Sequence, residues 1–112
     1  MSRRNIPQDE WVRFFYDFNK QHRNLIVSVN VKDKKNEVEL IKELPLKELG
    51  INPRAEDNTI VQVIGGDSQN VTHFIDKTSR VEFEETDNNL PKQITIYSDT
   101  GSITNIYFHS MD

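Results

Sequence analysis

Three histidines, His22, His73 and His109, are the side chains to weigh first for chemistry. A metal site needs two or three such ligands at a spacing that one helix or hairpin can bring together, and none of the three is paired in that way. His73 and Asp76 stand three apart in VTHFID. On a strand that odd spacing points them to opposite faces, so a His–Asp couple is not expected. Each histidine has a structural reading: His22 at a helix end, His73 in mid-strand, His109 at the close of the last strand. His73 alone stays a candidate, as the residue a small-ligand or enzyme pocket in a barrel mouth would use.

Nucleophiles and phosphate loops are weaker still. There is no cysteine, which excludes disulfides, thiolate catalysis and cysteine-type zinc sites. No Gly-x-Ser-x-Gly elbow occurs. The glycine pair at 65 and 66 in VIGGDSQN lacks the lysine and following helix of a phosphate loop and reads as a hairpin turn. The acidic run VEFEETDNN alternates Glu82 and Glu84 with Val81 and Phe83, the pattern of a strand with one wet face. Its DNN lacks the glycine and helices of a calcium loop, and nothing in the sequence raises either carboxylate toward glycosidase-type acid–base work. The reading leans to a non-enzyme, with no catalytic, metal or cofactor-binding residues and no cofactor.

The basic groups are Arg3, Arg4 and the cluster Lys32, Lys34, Lys35. A lysine-rich turn on a small barrel could touch a nucleic-acid backbone. The formal charge of −4, from 18 acidic and 14 basic residues, runs against a dedicated binder of phosphates. Nucleic-acid contact through these five residues is therefore the alternative and not the leading reading.

The elements that would hold such residues follow from pattern. Pro7 suits a first helical position, with Asp9 and Glu10 in the first turn. Trp11, Phe14, Phe15 and Phe18 then recur at i, i+3, i+4 and i+7, one apolar stripe of a helix predicted over 7–21. That stripe is expected to be core, leaving Tyr16 as the aromatic facing solvent. Residues 1–6 are expected to be disordered. From residue 25 to 109 the period is two, with β-branched residues on alternate positions. Strands are predicted near 25–32, 36–44, 59–64, 71–76, 80–86, 93–98 and 102–109. Val38 and Leu40 are read as inward, and Pro45 as a stop followed by a helical turn in LPLKELGI. Short connectors of turn-forming residues imply antiparallel neighbours.

At 112 residues this is one domain. The fold class is α+β, mainly antiparallel β: an N-terminal helix on a meander of about seven strands, rolled into a small barrel or a strongly bent sheet. The longest apolar runs are too short to span a bilayer, and the N-terminus lacks a secretory pattern, so no membrane partner and a cytoplasmic location are expected.

Three stretches, PQDEWVRFFYDFNKQHRN, ELPLKELGI and VTHFIDKTSRVEFEETDNN, together resemble a family of small bacterial proteins known only as a domain of unknown function. The resemblance covers nearly the whole chain and implies a bacterial, cytoplasmic, one-domain protein. It transfers no site residues. The expected role is a non-enzymatic binding or accessory module working through a protein partner or weak self-association. Its candidate sheet edges are residues 37–44 and 103–109.

Overall fold

The computed structural model describes residues 2–22, 25–51, 60–65 and 70–109. It is mainly antiparallel β with one N-terminal α-helix. In chain order the elements are β1 (Ser2–Ile6), a 3-10 turn (Gln8–Glu10), α1 (Trp11–Gln21), β2 (Ile26–Asp33), β3 (Asn36–Ile51) and β4 (Ile60–Gly65). β5 (Asn70–Ile75), β6 (Thr78–Glu85), β7 (Pro91–Ser98) and β8 (Ile103–Phe108) complete it. No described helix is long and apolar enough to cross a membrane. The predicted loop at 52–58 lies outside the described residues, as does most of the glycine-pair turn.

One antiparallel sheet runs in the order β1-β6-β7-β8-β2-β3-β4-β5. β5 and β6 are consecutive in the chain, with only Asp76 and Lys77 between them, yet six strand steps separate them in the sheet. A flat sheet would put them about 29 Å apart at about 4.8 Å per step, whereas the chain from Ile75 to Thr78 reaches about 11 Å. The sheet must therefore roll until its two ends approach. Among the described residues no ladder joins β1 to β5, so this is a strongly bent open sheet.

The corner between β5 and β6 corrects the expectation that every short connector makes paired neighbours. Lys77 has a positive φ of 50°, which turns the chain out of the β5 ladder instead of back along it. Three bonds hold the corner: Thr78 Oγ1 donates to the Ile75 carbonyl at 3.3 Å, Ser98 Oγ to the Asp76 carbonyl at 2.6 Å, and the Asp99 N–H to the Lys77 carbonyl at 2.9 Å.

Two further expectations fail for physical reasons. Residues 2–6, read as disordered, form β1 on β6, with Arg3 opposite Glu84 and Asn5 opposite Glu82; the acidic strand recruits the basic segment. LPLKELGI is not a stop and a turn but the second half of β3. Its first half pairs β2 and its second half pairs β4. Pro45 is tolerated because a bulge precedes it. Glu43 adopts a φ of 51°, and its N–H is taken by Ser28 Oγ at 3.1 Å instead of the ladder. The same irregularity leaves Val38 and Leu40 exposed, not inward, because β4 pairs only the later part of β3 and covers neither.

The aromatic stripe is core as expected. Trp11, Phe15 and Phe18 are buried, and Phe14 is half-buried against them. Phe14 and Phe18 meet Phe83 with centroids at 5.2 and 5.9 Å, and Phe18 meets Phe108 at 5.3 Å. Trp11 Nε1 donates to the Ile6 carbonyl at 2.8 Å, satisfying its polar end while tying β1 to the helix start. Tyr16 is 64 % exposed.

Candidate functional site

The strand register fixes how the inside of the roll changes along its length. Beside the helix the inward row is Phe83, Ile94, Ile106 and Val29. The next is Val81, Ile96, Thr104 and Val31, and beyond it Thr78 pairs with Ser98. The interior thus passes from aromatic to aliphatic to hydroxylated, away from the rings that Phe18 packs on. At that polar end is a cavity of about 150 Å³. Its apolar wall includes Val31 and Ile75; its polar wall is His73, Asp76, Thr104 and the hydroxyls of Ser98, Thr100 and Ser102.

His73 reaches this cavity because β5 turns its even-spaced neighbour Ile75 into the core, which sends His73 to the same face. Asp76 lines the same cavity although it lies three residues on. The rule of opposite faces does not reach it, because the strand ends at Ile75 and the corner redirects the next residue. Burial holds the His73 imidazole below its ordinary pKa of 6.5, with the Asp76 carboxylate opposing in part. The ring is therefore neutral at pH 7. Its Nδ1 is sequestered and has no hydrogen-bond partner.

The hydroxyls form a directed chain. Ser98 Oγ gives its proton to the Asp76 carbonyl. Its 2.9 Å contact with Thr100 Oγ1 must then use the Thr100 proton, and the 3.3 Å contact between Thr100 and Ser102 must use that of Ser102. Read from Ser102 inward, every hydroxyl donates toward Asp76, and Ser102 Oγ stands at the open end as an acceptor.

The other histidines do not join this site. His22 stacks on Phe18 with centroids at 5.0 Å, and its backbone N–H caps the helix on the Phe18 carbonyl. His109 Nε2 lies 2.8 Å from Ser28 Oγ. Among the described residues no group of three His, Cys, Asp or Glu side chains could hold a metal.

A second polar cluster occupies the outside of the sheet. Glu82 accepts from Arg3 at 2.7 Å, Arg80 at 2.8 Å and the Tyr97 hydroxyl at 2.8 Å. Glu84 accepts from Arg3 at 3.4 Å and pairs with Lys92 at 3.1 Å. The acidic run is far less wet than its alternation suggested, with the Glu82 side chain only 11 % exposed. The Arg3 hydrogen bond chiefly holds the Glu82 carboxyl below its ordinary value, so it stays ionised and is no general acid.

The five basic candidates do not form one patch. Arg3 is engaged with Glu82 and Glu84, and Arg4 lies over the Phe83 ring at 5.8 Å. Lys32, Lys34 and Lys35 belong to the β2–β3 hairpin. Four strand steps part β1 from β2, about 19 Å at about 4.8 Å each.

Of the two sheet edges expected, one holds. Residues 36–44 are paired only on the β2 side. Residues 103–108 lie between β7 and β2 and are paired on both. The true ends are β1 and β5, and sequence reasoning missed both. It missed β1 because the partner of a short basic segment lay about eighty residues away. It missed β5 because the two-residue corner hid the break in the meander.

No family model, no curated protein and no solved structure matches this chain.

Proposed function

We propose that this chain is a non-enzymatic binding module that acts through protein–protein contact, and that the contact is self-association by sheet extension at β5. The observation that supports this reading is the contrast among its three free edges. β1 is five residues long and carries Arg3 and Arg4. The open half of β3 carries Glu37, Glu39, Lys42 and Glu43 and two register shifts. Charges and bulges are the devices that keep an edge from pairing.

β5 has none of them. Its sequence NVTHFI contains no charge, proline or glycine. Its six pairs with β4 run without a shift. Val71 is 43 % exposed and Phe74 54 %. The occupant that fits is a second copy of the same strand, antiparallel about a twofold axis. An uncharged strand meets its twin without repulsion, whereas β1 would set arginine against arginine and β3 glutamate against glutamate. A register centred on His73 sets Phe74 opposite Thr72 and Ile75 opposite Val71, which keeps matching faces together.

Light scattering over a concentration series tests this. The mass is expected to rise from 13.1 kDa toward twice that value, and Thr72→Lys is expected to return it to one chain. A mass of one chain at every concentration would sink the reading.

A further inference from the structure

We propose that the cavity at the polar end of the roll, walled by His73, Ser102 and Thr104, binds a small neutral polyhydroxylated molecule, a polyol or pentose-sized sugar. The site lies on the inner face of β5 and does not depend on pairing at its edge.

Three properties of the wall select this chemistry. The first is charge. No lysine or arginine lines the cavity, and Asp76 does. A phosphate or carboxylate would enter uncompensated beside a like charge, which disfavours anions. The second is the pattern of hydrogen-bonding groups. The hydroxyl chain presents Ser102 Oγ as an acceptor at its open end, and the neutral imidazole presents an unpartnered Nδ1. A ligand hydroxyl both donates and accepts, so adjacent hydroxyls satisfy both groups whichever tautomer the ring adopts. A buried ring nitrogen without a partner costs free energy, and a ligand that supplies one recovers it.

The third is size. The cavity of about 150 Å³ is below the roughly 300–1,000 Å³ of drug-sized pockets. It equals the liquid volume of about five waters. A molecule with four or five hydroxyls replaces those waters one for one, while Val31 and Ile75 meet its carbon skeleton. Apolar ligands are disfavoured because they would strip the hydroxyls of solvent and return nothing.

The test is an NMR titration of the full chain with ribose, and separately with inorganic phosphate, reading the His73 ring and the Ser102 and Thr104 amides. Ribose is expected to move these signals to saturation in the range on the order of millimolar that a few hydrogen bonds in an open site allow. Phosphate is expected to leave them in place. Ser102→Ala alters a partly exposed turn residue and should preserve the fold, and it is expected to weaken ribose binding about tenfold, as the loss of one hydrogen bond does. His73→Phe is expected to abolish binding. The proposal is overturned by absence of saturation with ribose, by phosphate saturating the same signals, or by Ser102→Ala leaving the affinity unchanged.

Discussion

Asn19 and Leu49 exchange two hydrogen bonds: the Asn19 amide nitrogen donates to the Leu49 carbonyl at 2.6 Å, and the Leu49 N–H donates to Asn19 Oδ1 at 3.0 Å. A side-chain amide thus does for one residue of β3 what a neighbouring strand does elsewhere. The need arises because β2 runs out beside Leu46, where the Leu25 carbonyl accepts the last cross-strand bond. β3 continues for five more residues with that edge uncovered. Leu49 is fully buried, so water cannot take over. Asn19→Ala is expected to cost about 2 kcal/mol, by leaving two backbone groups unmet. The melting temperature should fall by about 4–8 °C per kcal/mol. Asn19→Asp, which keeps only the acceptor, should fall between the two.

The helix offers a matched pair of substitutions. Phe15 and Phe18 are buried, while Tyr16 on the same helix is exposed. Phe18→Ala removes a ring that touches Phe14, Phe83 and Phe108 at once, and should cost about 3–5 kcal/mol, a large fraction of the stability of a domain this small. Tyr16→Ala should change stability by less than about 0.5 kcal/mol. Urea unfolding of the three proteins decides it. Equal midpoints for Phe18→Ala and the parent would mean that the stripe is not the plug of the roll.

How much of this was legible depended on how local its cause was. The helix and the alternation of residues 26–33 could be read from spacing, because each is set by neighbours a few positions apart. β1 could not, since its reason is Glu82 and Glu84, nearly eighty residues on. The continuity of β3 through Pro45 was hidden because the exemption comes from Ser28, on another strand, accepting the Glu43 N–H. His73 was singled out by type alone. What makes its surroundings a cavity is the corner at Lys77, and no residue in VTHFID announces a positive φ two positions past the strand. The hydroxyl chain of Ser98, Thr100 and Ser102 looked like turn composition and nothing more. Its direction is set by the Asp76 carbonyl, which only the rolled sheet brings beside Ser98.

Glu82 sets an acid limit on the fold. Its carboxyl is held below the ordinary 4.5, first by the Arg3 hydrogen bond, with burial opposing. The partner agrees in sign, since the Arg3 guanidinium is held more firmly protonated by the same bond. A carboxyl whose folded pKa is depressed contributes stability above its unfolded value and loses it as pH falls through the folded one. Stability is therefore expected to decline below about pH 4.5, and less steeply in Glu82→Gln, which should already be weaker at pH 7. Parallel slopes for the two proteins in denaturant titrations below that pH would show that the cluster holds nothing together.

His73 sets a separate and earlier limit. Burial lowers its pKa below 6.5 while Asp76 acts the other way. Between the folded and unfolded values the unfolded chain binds the extra proton, so stability rises with pH there, is complete above 6.5 and is lost as pH falls through that window. The direction is opposite to that of a histidine charged to meet a carboxylate, and so it decides which of the two influences governs the site. If desolvation governs, the parent protein should weaken on going from well above 6.5 to about pH 5, still above the usual carboxylate range. His73→Phe, which cannot take up a proton, should weaken less over the same interval. His22 and His109 are present in both proteins and cancel from the comparison. A parent that instead gains stability over that interval relative to His73→Phe would mean that the ring is protonated in the fold and paired with Asp76. The wall of the cavity would then be cationic at His73, and the preference for a neutral ligand argued above would fall with it.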